Sequence, residues 1–342
     1  MSEGIVIDEF PHYRIVDFYI NDAAANLTIM CGGNLFKVDV QAIDLKDTEF
    51  ETGYQYWLEM LTTLSLCIYP KPNTVERQAM VLEFSKWLLR PCLSFVEQEA
   101  QDMKNKSISL EDYAFPTAWS LKLMAFNDCM FFLRPEKIFD CALRTVSVPL
   151  TGIRTAVRRI RATTVFSEGL DGDRDPGCDI PRHVKFGQFD LFFKPVKTPQ
   201  GFKREVTLLH DIQTFNLPVR VPKLHSIVLS EAGDKALGIL LQWLPFGSNT
   251  LLSQKGEEAK RLHDKWESQV GEILEHLHQK SIIWGDVSPS NIVIDWNDDA
   301  WILDFAGGVD EDFVDKQLAG TPGGDLGGIE KVFRSWLPDR FS

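Results

Sequence analysis

Ile283-Trp284-Gly285-Asp286-Val287-Ser288-Pro289-Ser290-Asn291-Ile292-Val293-Ile294-Asp295 is the stretch from which the fold is read. A carboxylate, Asp286, stands five positions before an amide, Asn291, and a short apolar run follows. The next apolar run, Trp301-Ile302-Leu303, ends in Asp304-Phe305-Ala306-Gly307. Asn291 and Asp304 are separated by about the length of a β-hairpin, so pairing of the two runs brings the amide and the second carboxylate together. Oxygen donors placed that way suit magnesium, a hard cation held by one or two carboxylates plus nucleotide phosphates. Asp286 is then left to orient a hydroxyl and accept its proton. The same residues also read as two acidic caps on a hairpin; their order, Asp-x4-Asn and then a strand-terminal Asp-Phe-Ala-Gly, favours the chemical reading.

Outward from this stretch, the whole chain has 342 residues, of which 44% are hydrophobic and 25% charged, so it reads as globular rather than disordered. Its length suggests two domains. The formal net charge of −13 argues against nucleic acid or an anionic membrane as a partner, since both are negative. Cys31, Cys67, Cys92, Cys129, Cys141 and Cys178 form no C-x-x-C pair and suit reduced thiols in the cytoplasm or nucleus. The opening Met-Ser-Glu-Gly-Ile-Val-Ile-Asp has no basic stretch followed by an apolar one, so no signal peptide is expected. No apolar run approaches the roughly 20 residues of a membrane span.

The first half reads as a small α+β domain of unknown role over residues 1–149. Leu27, Ile29 and Cys31 alternate with polar residues, Gly32-Gly33-Asn34 intervenes, and Phe36, Val38 and Val40 alternate again, predicting a hairpin. A helix is expected from about Tyr54 to Ile68, and Asn73 with Glu76 reads as the cap of a second helix that Pro91 kinks or ends. Residues near Trp119 to Leu133 are strand-rich. The boundary falls near residue 150. Beyond it Arg154, Arg158, Arg159 and Arg161 read as an anion site or as a basic stretch on an acidic chain, the second being preferred. Gly169 to Cys178 reads as an exposed loop.

The second half resembles the protein-kinase-like superfamily, including small-molecule kinases of the aminoglycoside-phosphotransferase type, and is similar in texture to the divergent kinase-like proteins of filamentous fungi. The resemblance covers about residues 150–337. It implies a two-lobed fold with a truncated C-lobe, the N-lobe about 150–244 and the short C-lobe about 245–342. In it Asp286 matches the catalytic base, Asn291 the second magnesium ligand and Asp304 the metal-binding aspartate of the Asp-Phe-Gly motif. Phe189-Asp190-Leu191-Phe192-Phe193-Lys194 matches the strand that delivers a lysine to the phosphates. Glu205 lies beside the inward stripe Phe202, Val206 and Leu209 of a helix starting after Thr198-Pro199, and matches the partner that holds Lys194. Ala236 to Leu241 reads as a buried strand, and Gln242-Trp243-Leu244-Pro245 matches the hinge beside adenine, with backbone groups of Gln242 and Leu244 as base contacts. Leu262, Trp266, Val270, Ile273 and Leu277 recur at helical steps before the catalytic loop.

Four departures qualify the match. No G-x-G-x-x-G precedes Lys194. Trp284-Gly285 stands where His-Arg is usual. Ser288 replaces the lysine of protein Ser/Thr kinases, and only one helix, with Ile329, Val332, Phe333 and Trp336 on one face, follows Asp304. Asp325 stands where the family's next-helix aspartate stands. The resemblance implies an Mg·ATP-dependent phosphotransferase, with ATP and Mg2+ bound and a protein Ser/Thr or small-molecule hydroxyl as acceptor. The alternative is a nucleotide-binding pseudokinase or scaffold without transfer.

Overall fold

Alternation of apolar and polar residues sets the first sheet. The computed structural model describes residues 13–66, 74–104, 108–138, 146–153, 156–167 and 180–341. Its contacts divide the chain into two compact units, Met1–Leu143 and Arg144–Ser342. In the first unit Arg14–Ile20 (β1), Ala24–Cys31 (β2) and Asn34–Gln41 (β3) form an antiparallel meander. β2 and β3 are joined at Gly32-Gly33 with Cys31 opposite Asn34, the hairpin expected from the alternation. Helices α1 (Glu49–Leu66), α2 (Thr74–Leu89) and α3 (Leu93–Lys104) follow. Pro91 lacks the N–H a continuing helix needs, and α2 gives way to a single tight turn at Arg90–Cys92. Asn73, read as the cap of α2, lies outside the described residues.

After the short α4 (Leu110–Ala114) the chain returns as β4 (Ala118–Phe126), parallel to β3. A parallel return needs a long crossover, which the helices supply. β5 (Cys129–Phe132) and β6 (Glu136–Ile138) then pair antiparallel with β4. The helices cover the sheet: Tyr54, Phe84, Leu88 and Val96 are buried in one cluster with Leu27, Phe36, Val38 and Leu121.

The second unit begins with β7 (Val148–Pro149), β8 (Arg159–Arg161), β9 (Phe166–Ser167), β10 (His183–Phe186) and β11 (Phe189–Pro195). Helix α5 (Pro199–Thr214) and strands β12 (Leu224–Leu229) and β13 (Lys235–Gln242) follow. The strands form one mixed sheet of order β8-β12-β13-β11-β10-β9, with β7 against β13. Arg158 lies over the Phe186 ring at 5.1 Å and Arg161 donates to the Ser230 carbonyl at 3.1 Å, so both arginines serve the sheet. Arg154 and the stretch from Gly169 to Cys178 lie outside the described residues. Thr198 caps α5 by accepting from the Gly201 N–H at 3.1 Å, and Pro199 occupies the first turn, where its missing N–H costs nothing.

Below the sheet lie α6 (Gly256–His278), the hairpin of β14 (Ile292–Ile294) and β15 (Ala300–Ile302), and α7 (Pro322–Lys331). Leu262, Trp266, Val270, Ile273 and Leu277 of α6 are buried, as their spacing predicts. α7 runs on through a wider helical turn at Val332–Trp336, burying Ile329, Val332 and Phe333 and leaving Trp336 half-buried. One apolar cluster joins α5, the sheet, α6 and α7. The architecture is mixed α+β. No helix among the described residues is long and apolar enough to cross a membrane.

Trp266 is 1% exposed and its Nε1–H donates to the Asp298 carbonyl at 3.0 Å. Trp266→Ala removes that packing and leaves a cavity, and is expected to destabilise the second unit by about 3–5 kcal/mol. Urea unfolding measures it, as a fall in midpoint without a large change in slope.

Candidate active site

Successive residues of a strand face opposite sides, so Phe192 and Lys194 of β11 share the face covered by α5. The Lys194 ammonium lies 2.8 Å from the Glu205 carboxylate of α5 and 2.7 Å from Asp304 Oδ1, just beyond β15. Glu205 is 3% exposed and also accepts from the Phe305 N–H at 3.3 Å. Burial alone would lower the Lys194 pKa, but the Glu205 and Asp304 charges outweigh it and hold the lysine above its ordinary value. Burial raises the Glu205 pKa in turn. One cation from β11 is thus shared by two carboxylates, one from α5 and one from the segment after β15.

The β14–β15 hairpin does what its sequence implied. Ile292 faces Ile302, and the Leu303 N–H donates to the Asn291 carbonyl at 2.8 Å, which sets Asn291 opposite Leu303, the residue before Asp304. Asp304 has φ of +59°, a left-handed conformation uncommon for a residue with a side chain. An Asp tolerates it because its own carboxylate can bond the backbone ahead, and Oδ1 accepts from the Ala306 N–H at 3.0 Å. The Trp284 indole secures the same turn, donating to the Leu303 carbonyl at 2.8 Å and the Asp304 carbonyl at 3.1 Å. Trp284 therefore performs structural work that its identity in the sequence did not announce.

Asp286 sits on the loop before β14. The Asn291 side-chain amide donates to the Asp286 carbonyl at 3.0 Å, which commits the amide nitrogen and leaves the oxygen for a cation. A side chain at Gly308 would place its Cβ 2.5 Å from Asp286 Oδ1, so the loop approaches the glycine backbone directly. The loop is held from below by Asp325 of α7, only 2% exposed, which accepts from the Trp284 N–H at 2.9 Å and the Gly285 N–H at 2.8 Å. His278 Nε2 lies 2.9 Å from the same carboxylate, a structural role for this histidine.

Asp286 and Asp304 are tuned in opposite directions. Burial, and then the nearby Asp304 charge, raises the Asp286 pKa from 3.8 to about 6, against the lowering effects of Lys194, Asn291 and Arg204. Burial pushes Asp304 up as well, but the Lys194 charge and hydrogen bond and the Ala306 N–H outweigh it, so Asp304 is held below the usual carboxylate range. Asp304 stays ionised under conditions where Asp286 can still exchange a proton.

Lys194, Glu205, Gln242, Leu244, Asn291 and Asp304 all line one cavity of about 600 Å³. Phe192, Leu241 and Leu244 give it apolar surface, while Arg182 and Lys197 add positive charge beside Lys194. Gln242 ends β13 opposite Leu191, and its N–H donates to the Lys223 carbonyl at 2.8 Å. The Leu244 carbonyl accepts from the Gly247 N–H at 2.8 Å. Asp286 does not line the cavity and is placed beside it through Asn291. Arg204, which no sequence signal singled out, stands among Asp325, Asp286, Glu205 and Asp304. Two cations, Lys194 and Arg204, therefore face four carboxylates, and Asn291 and Asp304 offer the oxygen donors a hard divalent cation prefers. No protein-family model matches the chain, and no curated protein matches it.

The raised Asp286 pKa has a stability consequence. Between 3.8 and about 6 the folded chain keeps a proton that the unfolded chain has lost. Stability relative to an Asp286→Asn control is expected to be greatest below that window, to fall as pH rises through it, and to be level above it. Parallel urea titrations of the two proteins across pH measure this, and a pH-independent difference would contradict it.

Proposed function

We propose that the second unit is an Mg·ATP-dependent phosphotransferase of the protein-kinase-like superfamily, in a two-lobed fold whose sheet and α5 form one lobe and whose α6, hairpin and α7 form a short second lobe. The observation that carries this reading is the Lys194 ammonium bridging Glu205 and Asp304 at one wall of a 600 Å³ cavity, with Asn291 beside it. A nucleoside triphosphate needs an apolar slot for its base and cations for its phosphates, and Phe192, Leu241 and Leu244 with Arg182, Lys194 and Lys197 supply both. The base would lie toward the Gln242 carbonyl and the Leu244 N–H.

Asn291 and Asp304 would hold magnesium, which when bound neutralises charge on the phosphates. Lys194, fixed by Glu205, orients the phosphates by charge. Asp286 aligns the acceptor hydroxyl. The hydroxyl oxygen bonds to the γ-phosphorus, the bond from that phosphorus to the β–γ bridging oxygen breaks, ADP leaves, and the hydroxyl proton passes to the Asp286 carboxylate. The acceptor is a protein Ser/Thr or a small alcohol.

The second reading, a nucleotide-binding protein without transfer, draws on the position of Asp286 outside the cavity lining. Substitution separates the two. Thermal unfolding with ATP should show a magnesium-dependent stabilisation, roughly 2.7 kcal/mol at 100 times the dissociation constant, that disappears in Asp304→Ala. Asp286→Asn should keep that stabilisation and lower transfer about 10²–10⁴-fold, the range for loss of a general base. Wild-type transfer should rise through pH of about 6 as Asp286 loses its proton. Stabilisation without transfer in either protein would favour the binding-only reading, and none at millimolar ATP would refute both.

A further inference from the structure

Glu205 has a neighbour that reaches in the same direction and does different work. Arg204, half-buried on α5, donates from Nη2 to the Ile283 carbonyl at 2.8 Å and from Nη1 to the Trp284 carbonyl at 3.1 Å. Nη1 also donates to the Phe305 carbonyl. Ile283 and Trp284 lead into Asp286, and Phe305 follows Asp304. A single guanidinium thus ties α5 to both segments that carry the paired carboxylates.

Two further observations show that the site is built around it. Gly285 has φ of +71°, and a Cβ there would lie 2.8 Å from Arg204 Nη2, so the loop has room for the guanidinium only because residue 285 has no side chain. Consecutive α5 residues also hold the two sides of Phe305: Glu205 accepts from its N–H at 3.3 Å, and Arg204 donates to its carbonyl. The planar fork of arginine aims several donors in fixed directions, here at carbonyls of two separate chain segments.

We propose that Arg204 is a positioning residue for phosphoryl transfer, fixing Asp286 and Asp304 relative to α5 so that the base, the metal-side carboxylate and the Lys194–Glu205 pair move as one unit. The proposal rests on the phosphotransferase reading for its consequence in turnover, and on the hydrogen bonds alone for its consequence in local order. Its functional signature is a loss of rate with little loss of nucleotide affinity, because Lys194 keeps Glu205 and Asp304 in the absence of the guanidinium.

The test uses the full chain with Arg204→Met, which keeps length and removes the donors, and Arg204→Lys, which keeps charge and removes the fork. Hydrogen exchange is measured first without nucleotide, at the Gly285, Phe305, Ala306 and Gly308 amides, whose acceptors are Asp325, Glu205, Asp304 and the Gly285 carbonyl. Exchange at these four should rise tenfold or more in Arg204→Met, about 1.4 kcal/mol of local opening, and less in Arg204→Lys, with the interior of α6 unchanged. Turnover of Mg·ATP with water as acceptor is measured second. kcat should fall about 100-fold in Arg204→Met while KM for Mg·ATP stays within about threefold, and Arg204→Lys should recover part of the rate.

Unchanged exchange in both variants overturns the proposal, as does a rise spread evenly over α6 and the β14–β15 hairpin. A change in KM at constant kcat overturns it as well. If Arg204→Met fails to fold, the same readings on Arg204→Lys decide. If the wild type neither binds nor turns over Mg·ATP, the phosphotransferase reading fails, and the exchange pattern still decides whether Arg204 holds the two segments.

Discussion

A buried ammonium must be paired, and Lys194 is paired twice. Its contacts to Glu205 and Asp304 fix the strand β11, the helix α5 and the turn after β15 against one another. Removing the lysine would leave the buried Glu205 carboxylate uncompensated, typically a loss of about 3–5 kcal/mol. Two carboxylates share the one ammonium directly, with Lys197 and Arg204 acting on them from farther off. The cavity wall thus carries an ammonium beside carboxylate and amide groups.

The second constraint is the backbone of two irregular turns. The Asp286 loop and the segment after Asp304 are neither helix nor strand, so their N–H and carbonyl groups need side-chain partners. Asp325 takes the Trp284 and Gly285 N–H groups, Trp284 Nε1 serves the Leu303 and Asp304 carbonyls, and Arg204 serves Ile283, Trp284 and Phe305. The turns are therefore held from three directions by groups that never enter the cavity. A loop so held can keep Asp304 at a positive φ and Asp286 against the Gly308 backbone without a regular element to support either.

The parts legible in the sequence are those with local signals. The β14–β15 hairpin follows from two apolar runs at hairpin spacing, and the β2–β3 hairpin from alternation around Gly32-Gly33. Thr198-Pro199 marks the start of α5, and the apolar steps of α6 mark its buried face. The pairing of Lys194 with Glu205 follows only from the resemblance, since by position alone the two read as surface charges on a strand-helix unit. Features set by long-range contact were not legible. The parallel pairing of β4 with β3 crosses four helices, α1 to α4, and that of β8 with β12 crosses three strands and a helix. Arg204 reads as one more charge in Lys203-Arg204-Glu205, and only Gly285, a residue whose small size has no local reason, hinted that something occupies the space beside it. Asp286 was legible as a residue type at a spacing, whereas its position beside the cavity rather than in its lining depends on how the loop is held.

Manganese, a spectroscopic substitute for magnesium, gives the most direct reading of the central claim that Asn291 and Asp304 with Lys194 form a metal–nucleotide site. Electron paramagnetic resonance reports free manganese as it is titrated into the full chain, with and without ATP, for the wild type, Asn291→Ala and Lys194→Met. The account predicts tight manganese uptake only when ATP is present, weakened by both substitutions. Uptake independent of ATP, or uptake indifferent to Asn291 and Lys194, would contradict it.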